Sequence, residues 1–443
     1  MRPVTVIGAG LAGCEAAWTL SRCGIPVHLY EQKPLAYSPA HHSAEFAELV
    51  CSNSLKAMRL NSAAGLLKEE MRRLGSVTME AASQCSVGAG GALAVDRERF
   101  SYLVTQKILS ASNITVFHRQ VERFSLDVPT ILSTGPLTSP LLVDFLQQEL
   151  VGKCLSFFDA AAPIVTLESL NQEKIFFAAR YGRGEDDYIN CPFDKERYEQ
   201  FYDALVAAEQ APLKEVDREY FKVYEGCMPI EVMAKRGAET LRYGPLKPVG
   251  LRDPHTGHRP WAVVQLRKEN AQGSLYNLVG FQTNLKFPEQ KRVFSLIPGL
   301  ENAEFVRYGV MHRNTFLDSP RLLSFDQSLR SRPNLMFAGQ MTGVEGYIES
   351  AASGITAGLQ MACRIKEKNP IRFPRETMIG ALLHYISDPT VTNFQPMGCN
   401  IGILPVLEEH IRDKALRNQR YAERALEALQ LVLDQQVDPL FQI

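Results

Sequence analysis

The chain has 443 residues, 45% of them hydrophobic, enough for one large or two medium domains with a buried core. Its formal net charge of −1 gives no global attraction to nucleic acid, and no apolar run reaches the roughly eighteen residues a membrane span needs. The N-terminus reads as a strand and a glycine turn rather than a secretion signal, so a cytoplasmic protein without a membrane is expected. Nine cysteines, an odd number with no CxxC pair, argue for free thiols in a reducing compartment and against zinc fingers, dithiol reductases and a metal site.

In chain order, VTVIGAGLAGCEAAWTL comes first. Val4 to Ile7 predicts a buried strand, and Gly8, Gly10 and Gly13 form G-x-G-x-x-G around Ala9. Small and apolar residues then predict a helix over Ala12 to Leu20. Gly8 suits the tight turn, Gly10 the approach of a pyrophosphate, and Gly13 the packing of helix on strand; the helix N-terminus offers free N–H groups to phosphate. Pro26 to Tyr30 predicts the second strand, and Glu31 closes it where a carboxylate can accept from ribose hydroxyls. Glu31 disfavours a 2′-phosphate, which leaves FAD or NAD; the plain alternative is a glycine turn with no ligand.

Next comes CSNSLKAMRLN. Cys51 precedes three hydrogen-bonding residues, Ser52, Asn53 and Ser54, and a helix is expected directly after them, with the thiol at its start. ILSTGPL, residues 131–137, predicts a strand ending at Thr-Gly, with Gly135 beside the dinucleotide. In EGCMPIEVMAKRG, Pro229 suits the first helical position, so Cys227 falls just before a helix N-terminus, where a thiolate is favoured; Lys235 and Arg236 can add to that if they fold back. Packing is the plain reading of both thiols.

Between Val232 and Lys268 lie eight basic residues against Glu239 and Asp253. They include Lys235, Arg236, Arg242, Arg252, Arg259 and Arg267. The stretch reads as a solvated face or a phosphate-binding one. RYGVMHRNTF then places His312 among apolar residues, as a core histidine or one that stacks on a planar cofactor. Near the end, NLMFAGQMTGVEGYIESAASG predicts strand, glycine loop and helix, with Gly339, Gln340, Gly346, Tyr347 and Ser350 facing a flavin or its pyrophosphate. Gln340 stands where an acid is usual. This late unit favours FAD. The predicted fold is α/β, a discontinuous Rossmann-like FAD-binding domain of glutathione-reductase type (1–155 and 301–443, the latter with C-terminal helices over 408–436) interrupted by an inserted α+β domain (156–300).

Taken together, VIGAGLAGCEAAW, CSNSLK, GALAVDRERF, EGCMPIEVMAKRG, GFQTNLKFPEQKRVF, YGVMHRNTF, FAGQMTGVEGYIESAASG and NFQPMGCNIGILP resemble, in that order and over residues 1 to about 405, the TrmFO family of folate- and FAD-dependent tRNA uracil-5-methyltransferases. The resemblance implies methylation of uridine 54 in the tRNA T-loop. The one-carbon donor would be 5,10-methylenetetrahydrofolate, the reductant FAD, and its regenerator NADH or NADPH. It implies that Cys227 adds as a thiolate to uracil C6, that Cys51 is a second functional thiol, that His312 stacks the pterin, and that the basic run binds tRNA. The competing readings are an FAD oxidoreductase on a small substrate and a tRNA-binding flavoprotein without methyl transfer.

Overall fold

A computed structural model describes residues 2–151, 155–160, 162–182, 185–211, 228–270, 272–309, 311–391 and 394–441; for 150, 151, 155–160 and 311–314 only the backbone is described. Two sheets organise the chain. The first is a six-stranded sheet in the order Ser328–Leu329, Arg332–Phe337, Thr130–Leu132, Val4–Ile7, Val27–Glu31, Ile114–His118. It is parallel except at the Ser328–Leu329 edge. Val4, Val6, Val27, Leu29 and Ile131 are buried in it, as strands covered on both faces require.

Helix Leu11–Arg22 follows the first strand and packs against helix Tyr347–Ile365. Small residues allow this. A Cβ on Gly354 would lie 2.1 Å from the Ala12 carbonyl oxygen, so nothing larger fits at that crossing. The C-terminal helix runs over Lys414–Val432, capped by Asp413, whose side chain accepts from the Leu416 N–H. It buries Tyr421, Ala425 and Leu429 on the same core.

The second sheet is antiparallel and runs Phe176–Phe177, Tyr188–Phe193, Ala262–Lys268, Leu275–Leu278, Ile164–Thr166, Phe305–Arg307. Helix Lys195–Ala207 covers it, and Phe193, Phe201, Leu266, Phe281 and Phe294 fill the space between. The short helix Ile230–Ala234 is tied in by Glu231. Its buried carboxylate accepts from Thr283 Oγ1 and the Asn284 N–H, both at 2.8 Å, and burial pushes its pKa up. Pro229 stands at the cap of this helix, one place before the expected first position, because its ψ of 139° is extended. Lys235 and Arg236 are exposed at the other end.

Candidate functional site

At the C-terminal ends of the parallel strands lies a cleft of about 1140 Å³, counted with its open mouth. Gly8, Ala9, Gly10, Glu31, Gly135, Gly339, Gln340, Tyr347 and Ser350 all line it. Gly13 lies behind it: a Cβ there would sit 1.7 Å from the Gly8 carbonyl oxygen, so it is the contact of helix and turn that demands glycine. Gly8 itself has φ +96°, which glycine alone adopts without strain. Around Gly10 no atom comes within 4 Å of a built Cβ, and helix Leu11–Arg22 has neither a side-chain cap nor an acid in its first turn. Its N–H groups are thus open to a pyrophosphate. Glu31 is buried and fixed by backbone: Oε2 accepts from the Ala9 N–H at 2.8 Å and Oε1 from the Lys33 N–H at 3.0 Å. These features fit a dinucleotide.

Lys33, His41 and Arg119 also line the cleft and were missed in the sequence, where no motif marks them; Thr134, of the Thr-Gly turn expected beside the dinucleotide, lines it too. Lys33 donates to the Glu45 carbonyl and lies 3.4 Å from Glu48. Burial, with Lys33 nearby, lowers the His41 pKa. The amide standing for the usual acid is not isolated either: Gln340 Nε2 donates to Glu345 Oε2 at 2.6 Å.

Cys51 follows Val50, which lines the cleft. The helix expected after it is not there. Residues Ser54–Ala57 form a strand paired with Ala92–Val95, and the next helix begins at Ala63 behind its Ser62 cap. Asn53, fully buried, donates to the Val95 carbonyl at 3.0 Å and so favours the strand. The thiol does meet a helix start, but a distant one. Cys51 Sγ lies 3.0 Å from the hydroxyl of Tyr347, the first residue of helix Tyr347–Ile365. That hydroxyl accepts from the N–H groups of Cys51 at 2.8 Å and Ser52 at 3.2 Å. With its acceptor side occupied, its own proton is free to point at the sulfur, an arrangement that supports a thiolate. Burial, and then the Cys51 charge, hold the Tyr347 pKa well above the usual phenol value.

Three motifs meet beside this pair. Lys56 of CSNSLK lies 2.5 Å from Glu349 of GYIES, and Glu349 also accepts from the N–H of Cys399 in MGCNIG at 2.9 Å. Burial works against the charged Lys56, but Glu349 outweighs it and raises its pKa to about 12. Cys14, Cys23, Cys85, Cys191 and Cys363 are buried, and burial pushes each thiol up; burial and Glu349 do the same to Cys399. The five buried ones are packing thiols, whereas Cys399 is half-buried.

Cys227 lies outside the described residues. His312 is on strand Met311–Phe316, paired with Leu155–Ala160, and its side chain is outside them too. Of the basic run, Lys235, Arg236, Arg252 and Arg259 are exposed. Arg242 is held in place, pairing with Glu239 and stacking 3.7 Å over the Trp261 ring. Arg267 is buried.

Comparison with known proteins agrees with this geometry. The model of the glucose-inhibited division protein A (GIDA) family matches residues 3–369. Among solved structures, that of Aquifex aeolicus GidA superposes with a TM-score of 0.70 at 17% identity, covering 99% of this chain and 78% of that one. The fold is therefore a Rossmann-like FAD-binding fold. The methylenetetrahydrofolate–tRNA-(uracil-5-)-methyltransferase TrmFO of Acetivibrio thermocellus is 59% identical over 96% of this chain and 97% of its own length. That of Heliobacterium modesticaldum is 57% identical, with coverage of 96% and 97%. The chain belongs to the TrmFO family of methyltransferases, within the wider GIDA group.

Proposed function

We propose that this member of the TrmFO family methylates C5 of uridine 54 in the tRNA T-loop, with 5,10-methylenetetrahydrofolate as one-carbon donor and FAD in the cleft as reductant. The observation that carries the reading is the Cys51–Tyr347 pair at the edge of a cleft built for a dinucleotide. Bound FAD, reduced by NADH or NADPH, supplies the two electrons that turn a transferred methylene into a methyl group.

The protein's own residues supply the rest. Uracil C5 is a poor nucleophile. The Cys227 thiolate adds to C6, and the electron pair moves through C5 to O4 as an enolate. C5 then attacks the methylene carbon of the ring-opened donor, an iminium, whose C=N electron pair returns to the folate nitrogen. Cys51, beside the Tyr347 hydroxyl, takes the C5 proton as the carbon–nitrogen bond to the folate breaks and its amine leaves, giving an exocyclic methylene. Reduction of that methylene by two electrons and a proton expels Cys227 from C6 and restores the ring double bond. His312 stacks the pterin. Lys235, Arg236, Arg252 and Arg259, with Arg242 beside them, take tRNA phosphates, and uridine 54 flips out of the elbow to reach the thiols. The FAD-binding domain in this reading comprises 1–155 and the chain after the Phe305–Arg307 strand, which pairs into the second sheet, and the segment between them, expected at 156–300, is the tRNA side. The setting is cytoplasmic.

The test is ribothymidine formation on unmodified tRNA with reduced nicotinamide and methylene-labelled folate. Wild type should place label at position 54, and Cys227→Ala and Cys51→Ala should place none. Label at another uridine, or full activity in Cys227→Ala, would overturn the assignment.

A further inference from the structure

Arg267 belongs by sequence to the basic run, yet its side chain is only 8% exposed. It lies on strand Ala262–Lys268 of the second sheet. Its Nε donates to Asn53 Oδ1 at 3.0 Å and its Nη2 to Ser52 Oγ at 2.7 Å. Asn53 replies through Nδ2, which donates to the Lys268 carbonyl at 2.7 Å. One residue further, Glu269 accepts from Arg97 twice, at 2.8 and 3.2 Å. Arg97 Nη1 in turn donates to the carbonyls of Leu49 at 2.9 Å and Val50 at 3.4 Å. Three consecutive residues, 267–269, thus grip the chain on both sides of Cys51.

We propose that Arg267 is the positioning residue for Cys51: its forked guanidinium fixes the Ser52–Asn53 step in register with the second sheet, so that the thiol meets the Tyr347 hydroxyl. The two acceptors sit on successive residues, a spacing a planar fork spans and a lysine ammonium does not. The surroundings of the thiol carry Arg267 and Glu269 from this strand and its end, Arg97, Tyr347, and Arg307 from strand Phe305–Arg307. Loss of Arg267 removes one cation and loosens the turn, and both effects disfavour the thiolate. The function of Cys51 rests on the reading above; the position of its thiol does not.

The experiment uses the full-length FAD-loaded protein and two readouts. One is alkylation of Cys51 by iodoacetamide across pH, followed by peptide mass spectrometry. The other is kcat and KM for tRNA in ribothymidine formation. In Arg267→Gln the alkylation midpoint should move up by about one pH unit. kcat should fall by roughly tenfold or more, while KM stays within about threefold. Arg267→Lys should not restore kcat. Ser52→Ala, which deletes a single oxygen, should move both readouts the same way by less, and it decides the matter if Arg267→Gln loses its flavin. A raised KM with an unmoved alkylation curve would make Arg267 a tRNA contact and overturn the proposal; so would no change in either. A shifted alkylation curve in a protein whose wild type makes no ribothymidine would keep the positioning role and sink the proposed reaction instead.

Discussion

The glycine turn at residues 8–13 and the thiol turn at residues 49–54 border the same cleft and are held by opposite means. The first is closed mainly within its own unit, with Ser133 adding a distant bond from its Oγ to the Gly8 carbonyl at 3.0 Å. Gly8, Gly13 and Glu31 fall within one strand–helix–strand unit, and the tie from Glu31 to Ala9 spans 22 positions. The second is held almost wholly from afar. Tyr347 is 296 positions from Cys51, Arg267 215 from Ser52, and Glu269 172 from Arg97. A locally closed turn forms wherever its strand and helix form. A turn held from afar is correct only in the assembled protein, which makes the thiol's placement sensitive to how the second sheet sits.

Breaking the local turn should cost most. Gly13→Val puts atoms onto the Gly8 carbonyl, where neither backbone can yield. Loss of bound flavin and a destabilisation of about 4 kcal/mol or more are expected, read by flavin absorbance and urea unfolding. A flavin-loaded variant with the wild-type midpoint would contradict the close-packed turn.

Tyr347→Phe strikes the distant hold. It orphans the N–H groups of Cys51 and Ser52 and takes the hydroxyl from the thiol. We expect about 1–3 kcal/mol of lost stability and at least a tenfold drop in ribothymidine formation, with flavin retained because the glycine turn is untouched. Flavin loss together with the thiol effect would show that the two turns are coupled.

Glu70 offers a titration of another long-range tie. Its carboxylate accepts from the N–H groups of Met378 and Ile379, and burial raises its pKa to about 8. The folded state therefore holds a proton that the unfolded state releases from about pH 4.5, so stability falls as pH rises from there to about 8. Relative to Glu70→Gln, wild type should lose ground steadily across that window in urea titrations. Parallel curves for the two proteins would mean that Glu70 is charged throughout.

The smallest effect is expected on the basic face. Arg259→Ala removes an exposed cation, so stability should change by less than about 0.5 kcal/mol. KM for tRNA should rise about twofold to threefold, and its salt dependence should weaken. An unchanged KM at low salt would place the tRNA elsewhere.

By itself the sequence determined the glycine turn, Glu31, the late strand–loop–helix with Tyr347 and Ser350, and the family, because each is written in residues close together in the chain. Only the tertiary structure decided the rest. It replaced the helix after Cys51 with a strand, because Asn53 pairs with Val95 across 42 positions. It moved Arg267 from the basic face into the support of the thiol, and it brought Lys56, Glu349 and Cys399 together. Periodicity reports which face of an element is apolar, but it carries no information about which distant carbonyl or hydroxyl will satisfy a buried polar group. That choice belongs to the packed chain.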